Sequence, residues 1–250
     1  MKLRRCREKP QRSLAVEKER VDLCGKMRRW PAHRFTDGID MIIDNKRLDV
    51  TTSPEARVHQ DKQTLVAQLR RRGEGLRTHF AKPEVKAHRR NLGGSVSVCA
   101  GISNCRIVLW EYLTKWNGET AADMFRGPIM NALKKHRGEK SSYLLVEDND
   151  PRGYKSSKAV AEKRSLHIRT VDWPRYSPDL MPLDFSLWTD IGKRVRNTAP
   201  KGRESVSAFK QRLRRLALCT STATVRAAVD AMRARAAMIR AADGKDIDRD

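Results

Sequence analysis

The sequence predicts a mixed α/β domain with a helical tail, and three observations carry that expectation. Short β-rich runs alternate with amphipathic segments through the middle of the chain. One run, Tyr143-Leu144-Leu145-Val146, is apolar on both faces, as a central strand covered on both sides requires. After residue 200 the pattern is helical, near 204–218 and 222–241.

The elements follow in order. Residues 1–13 are basic, contain Pro10 and lack periodicity, which predicts a frayed leader. A helix is expected from Leu14 to Trp30, with Leu14, Val21, Cys24 and Met27 near one stripe and Pro31 stopping it. Residues 34–51 suggest two strands joined by a turn at Asn45-Lys46. Residues 53–94 form a charged, basic insertion, with a helix around 58–72 and then an irregular loop. Strands at 95–102 and 106–113 come next. They lead into a helix over 119–136 that bends at Gly127-Pro128. A strand at 142–148, a helix at 158–164, a strand at 167–171 and a helix at 182–196 complete the domain. Residues 1–30 are thus a leader and linker helix, 31–200 the α/β domain, and 201–250 the tail.

The 250 residues carry 53 Lys+Arg against 30 Asp+Glu, a net charge of +23. Such an excess favours DNA or RNA as partner, because neutralised phosphates release counterions. No stretch approaches the length of apolar residues that spans a membrane, so no membrane partner is expected. Five cysteines never form C-x-x-C and six histidines are scattered, which disfavours zinc and disulfides. Any metal must therefore be held by oxygen ligands.

Three segments place carboxylates where chemistry could use them. Glu147-Asp148-Asn149-Asp150-Pro151 ends the apolar strand abruptly, at the strand tip where α/β sheets place their sites. A solvated acidic turn explains it more simply when the segment is taken alone. In SPDLMPLDFSLW (177–188), Ser177 or Asp179 can cap a helix that Pro182 starts. Leu187, Trp188, Ile191 and Val195 then set the core face, and Asp184 falls on that side beside an indole. Favourable alignment with the helix dipole is an equal explanation. In FTDGIDMIIDNK (35–46), period-two alternation puts Asp37 in the apolar register with Phe35, Ile39, Met41 and Ile43. Asp40 and Asp44 fall on the wet side. Three inward acids in a basic chain suggest a Mg²⁺ site acting on phosphodiesters, since a divalent cation relieves carboxylate repulsion.

These residues bring a family into view. VEDNDPRGYKSSKA, PRYSPDLMPLDFSLW and the upstream FTDG resemble the catalytic domain of mariner-superfamily DDE/D transposases. Thirty-five residues separate Asp148 from Asp184, and Ser177, Pro178, Asp179, Leu180, Pro182, Asp184 and Trp188 fall in the family's pattern. VCAGI (98–102) is similar to its glycine-containing strand, and residues 226–244 to its closing helix. The resemblance implies a ribonuclease H-like mixed sheet flanked by helices, with Asp37, Asp148 and Asp184 as catalytic and metal-binding triad. It also implies Mg²⁺, or Mn²⁺ in its place, DNA partners at transposon ends and target, a homodimer, and a nuclear location. Lys82, Lys86, Arg89 and Arg90 in the insertion are candidate DNA-binding residues. Met181 stands where the family usually has Asn, and the histidine common after D-N-x-P is absent. Only the leader and one helix precede Asp37, where the family carries helix-turn-helix modules, so a truncated or inactive copy is expected. The alternative is a non-catalytic nucleic-acid-binding protein derived from a transposable element.

Overall fold

A five-stranded sheet stands at the centre of the protein, with helices on both faces. The computed structural model describes residues 2–5, 13–53, 67–70 and 94–247. In chain order the elements are β1 (Lys2–Arg5), α1 (Leu14–Arg28), β2 (Met41–Asp49), β3 (Ala67–Arg70), β4 (Ser95–Ser103) and β5 (Arg106–Leu113). Then come α2 (Gly118–Met124), α3 (Met130–Arg137), β6 (Tyr143–Val146), α4 (Ser157–Ser165), β7 (Ile168–Thr170), α5 (Trp188–Asn197), α6 (Val206–Leu218) and α7 (Thr222–Ala241). Wide π-helical turns at Arg34–Gly38, Phe125–Ile129 and Leu183–Leu187 precede β2, α3 and α5.

The sheet order is β5-β4-β2-β6-β7. β2, β4 and β5 are antiparallel neighbours, whereas β6 joins β2 in parallel and β7 joins β6 in parallel. The β4–β5 turn uses Asn104 and Cys105, both at positive φ (49° and 54°), as a two-residue hairpin requires. The crossover helices α2, α3 and α4 cover one face of β6 and α1 with α5–α7 cover the other, so its YLLV run is apolar throughout.

Two cores result. One face packs Ile42, Val98, Ala100, Trp110 and Val146 under α1, α5, α6 and α7, and the other packs Met41, Ile43, Cys99, Leu109 and Leu145 under α2, α3 and α4. Each large apolar side chain so buried stabilises the fold by ~1.5–3 kcal/mol. Proline at 128 removes one backbone donor, and the helix absorbs it as the π turn between α2 and α3.

α1 keeps Cys24 and Met27 of its expected stripe buried but differs at its other positions. Leu14 is exposed, and the buried stripe is Val16, Arg20, Leu23, Cys24 and Met27. Arg20 is tolerated there because its guanidinium is fully used. It donates to Asp179 Oδ1 and Oδ2 at 2.8 and 2.6 Å, to Ser177 Oγ at 2.8 Å and to the Gly244 carbonyl at 2.7 Å. The S-P-D block thus anchors α1 and the chain end, and Gly244 (φ +79°) lies so close to Glu17 that a Cβ would meet its carbonyl oxygen at 2.3 Å.

Two expectations fail outside the central sheet. Residues 2–5 are a strand rather than frayed leader, and 67–70 are a strand rather than helix. The two pair antiparallel, Lys2 with Arg70 through Arg5 with Ala67, a long-range partnership that local periodicity does not encode. The remainder of the insertion, with Lys82, Lys86, Arg89 and Arg90, lies outside the described residues.

Candidate active site

The site lies on the sheet face covered by α5. Strand alternation in β2 sends Ile42 to that core, Ile43 to the other, and Asp44 back to the α5 side. Parallel pairing aligns Ile42 with Val146. Asp148 follows two residues past the end of β6, close enough for its charge to act on Asp44. Asp184 comes from the π turn that leads into α5, one turn ahead of Trp188.

Hydrogen bonds hold each acid. Trp188 Nε1–H donates to Asp44 Oδ2 at 2.7 Å, linking α5 to the central strand. Lys46, two residues beyond Asp44 and therefore on its face, donates from Nζ to Asp184 Oδ1 at 2.7 Å. The Asn149 backbone N–H donates to Asp148 Oδ1 at 2.7 Å, while its side-chain amide donates to the Trp173 carbonyl at 3.2 Å. That second bond ties the end of β6 to the segment after β7.

Neighbouring charges act on Asp44 and Asp148. Burial, then the Asp184 carboxylate, pushes the Asp44 carboxyl up to about 8; the Trp188 hydrogen bond and Lys46 oppose the rise, and Asp148 adds to it. Asp148 is also raised, first by burial, with the Asn149 amide opposing and Asp184, Asp150 and Glu147 adding. Such carboxylates are costly to keep ionised together without a cation. Their donors are all carboxylate oxygens, the chemistry that Mg²⁺ or Mn²⁺ accepts. Among the described residues no three His, Cys, Asp or Glu side chains converge as a ready metal cluster, and Asp184 is engaged by an ammonium instead.

Neighbouring residues stiffen the strand ends. Glu147 faces away from Asp148 and is fully buried, ion-paired with Lys163 and with Lys155 at 3.2 Å. Burial lowers the Lys163 ammonium, and Glu147 opposes that change. Tyr154, also buried, donates to Asn45 Oδ1 at 2.9 Å. Trp116 donates to Asp150 Oδ2 at 2.6 Å, holding the loop after Asp148. A cleft of about 380 Å³ opens beside Asn149, lined by Lys26, Lys155 and Arg175 together with Glu19, Asp22 and Asp172.

Of the three acids chosen from the sequence, Asp148 and Asp184 lie close enough for the Asp184 charge to act on Asp148, and both act on Asp44, a residue not chosen. Asp37 is exposed in the Arg34–Gly38 turn, where it accepts from Thr36 Oγ1 at 3.1 Å and takes no part in strand alternation. The chain curls there, the Ile39 N–H closing on the Arg34 carbonyl at 3.0 Å, so the strand begins only at Met41. Beyond it there is one strand and no hairpin turn: Asn45 and Lys46 pair with Cys99 and Val98.

Asp40 and Asp44 are buried, not wet. Burial works to raise the Asp40 carboxyl, but hydrogen bonds from Lys140 (2.6 Å), the Leu144 N–H (2.8 Å) and Arg137 (3.0 Å) outweigh it and lower it. Arg212 is largely covered, donating to the Val195 carbonyl at 2.6 Å and pairing with Glu204. Trp110 is core, stacked at a tilt on Trp188 with centroids 5.5 Å apart. One signal points to Asp44: Met41-Ile42-Ile43 before it, like Leu144-Leu145-Val146 before Glu147-Asp148, is an apolar run ended by acid.

No protein-family model matches the sequence, and no curated protein matches it. Solved structures match its fold. The catalytic domain of Mos1 mariner transposase is similar with a TM-score of 0.67 at 14% identity, over 96% of this chain and 99% of that one. The Mos1 transposase paired-end complex with left transposon end gives 0.69 at 17% identity, over 99% of this chain and 68% of that one. The mariner Mos1 paired end complex with Mg gives 0.71 at 17% identity, over the same shares. The protein therefore has the ribonuclease H-like fold that the family resemblance implies.

Proposed function

We propose that this chain is the catalytic domain of a DNA transposase, cutting and rejoining phosphodiesters with a divalent cation. The observation that carries the proposal is that Asp184 and Asp148 lie close enough to Asp44 for their charges to act on it, in a chain with the fold of the Mos1 catalytic domain. Asp44 and Asp148 would hold the ion from adjacent parallel strands and Asp184 from the covering turn. A bound Mg²⁺, with Mn²⁺ as substitute, supplies activation of an attacking oxygen and stabilisation of a departing one.

The protein's own groups prepare that chemistry. Trp188 fixes which oxygen of Asp44 faces the site, and the Asn149 amide does the same for Asp148. The net charge of +23 draws a polyanion to the surface. Water attack on a phosphodiester breaks the P–O3′ bond, leaving a 3′-hydroxyl and a 5′-phosphate. That hydroxyl then attacks a target phosphodiester, exchanging one P–O bond for another. Transposon-end and target DNA are the proposed partners, in a homodimer and in the nucleus. Lys82, Lys86, Arg89 and Arg90 are proposed as backbone contacts on the strength of sequence alone.

One observation favours a second reading, a nucleic-acid-binding relic that no longer cuts: Asp184 is engaged by Lys46. Nicking of supercoiled plasmid with Mg²⁺ or Mn²⁺, with Asp148→Asn as control, separates the two. Nicking that vanishes in the variant supports catalysis, and nicking that persists in it removes Asp148 from the reaction. DNA binding without nicking supports the relic.

A further inference from the structure

We infer that Lys46 is an internal latch on Asp184, occupying that carboxylate in the metal-free protein and competing with the divalent cation for it. The inference rests on the proposed metal site and adds a residue that sets its affinity. Lys46 sits in mid-strand, paired across to Val98, so its backbone is held by the sheet and only its four-carbon stem can move. Its ammonium is 2.7 Å from Asp184 Oδ1, on the same strand face as Asp44.

The two partners differ in enclosure. The Lys46 side chain is 40% exposed and that of Asp184 only 18%. The acid is therefore the fixed partner and the lysine the one with a route out. An ammonium and a divalent cation cannot both sit against one carboxylate oxygen, since like charges at such range repel strongly in a partly buried setting. Loading the site thus requires the Lys46 stem to swing toward solvent, where the phosphates of DNA arrive. Metal binding and polyanion binding are then coupled through one side chain, each favouring the other.

The test is calorimetric titration of the full chain with Mn²⁺, first without DNA and then with a short duplex, with binding and not cleavage as the readout. Lys46→Met keeps the stem length and removes the charge, and Lys46→Arg keeps the charge. Melting in EDTA reports whether each variant is folded, and Lys46→Gln replaces Lys46→Met if that variant fails. The latch predicts roughly tenfold tighter Mn²⁺ binding in Lys46→Met, with Lys46→Arg within about twofold of the parent. A short DNA duplex is expected to tighten Mn²⁺ binding in the parent and to do so less in Lys46→Met. Equal or weaker binding in Lys46→Met overturns the latch. Asp148→Asn, titrated in parallel, keeps the two ideas apart. If it loses Mn²⁺ while Lys46→Met is unchanged, the site stands and the latch alone falls. If it binds as the parent does, the ion sits elsewhere and both fall.

Discussion

The Trp188 indole and the Asp44 carboxylate are joined by a 2.7 Å hydrogen bond that crosses from the covering helix to the central strand. Trp188 also packs on Trp110, so the donor cannot turn away. Replacing it by Phe preserves most of the packing and leaves a buried oxygen without its donor. Trp188→Phe is expected to cost roughly 1–3 kcal/mol, read as a fall in melting temperature. Mn²⁺ binding at neutral pH is expected to weaken as well, because the ionised form of Asp44 loses a stabilising bond. Unchanged Mn²⁺ affinity would separate Trp188 from the site.

Arg20 and Asp179 are expected to behave as one unit. Removing either partner strands a buried charge, so Arg20→Met should cost about 3–5 kcal/mol in urea unfolding. The double variant Arg20→Met with Asp179→Leu should recover much of that loss. A double variant no more stable than the worse single would show that the guanidinium matters for its other bonds, to Ser177 and Gly244.

Acid stability is expected to depend on Asp40. Its carboxyl is lowered in the fold, so the native state releases this proton more readily than the unfolded chain. The stability this contributes is complete above the unfolded value near 3.9 and is lost as pH falls through the lower folded value. Melting curves collected downward from pH 5 should fall steeply for the parent and less steeply for Asp40→Asn, which has no such proton to take up. Parallel curves would contradict the ion-pair assignment.

Gly153 lies against Trp116, where an added Cβ would meet the ring at 2.2 Å. Gly153→Ala should destabilise by roughly 1–3 kcal/mol and loosen the loop that follows Asp148. Gly127→Ala is the matching control, since a Cβ there meets nothing within 4 Å. It should be neutral or stabilise by up to about 1 kcal/mol.

Much of this architecture was legible because local pattern and tertiary role agree. YLLV reads as a doubly covered strand and is one, and the Gly127-Pro128 bend appears as a π turn. Asp184 was readable from its position ahead of Trp188 on an apolar helix face. Asp44 was not, for a reason of phase. Counting alternation from Phe35 assumed an extended chain through Gly38, whereas the turn at Arg34–Gly38 ends before the strand begins. Alternation still holds within β2, but Asp37 is no part of it. Arg20 was hidden for a different reason: a charge inside a buried stripe makes sense only once Asp179, distant in the chain, is seen beside it.

Under the proposed function Asp44, and not Asp37, completes the acid set. The direct measurement is Mn²⁺-dependent nicking of supercoiled plasmid by Asp44→Asn and by Asp37→Asn, side by side. Nicking by Asp44→Asn is expected to fall by roughly a hundredfold or more, to background, and Asp37→Asn to cut like the parent. Full activity in Asp44→Asn, with loss in Asp37→Asn, would contradict that assignment.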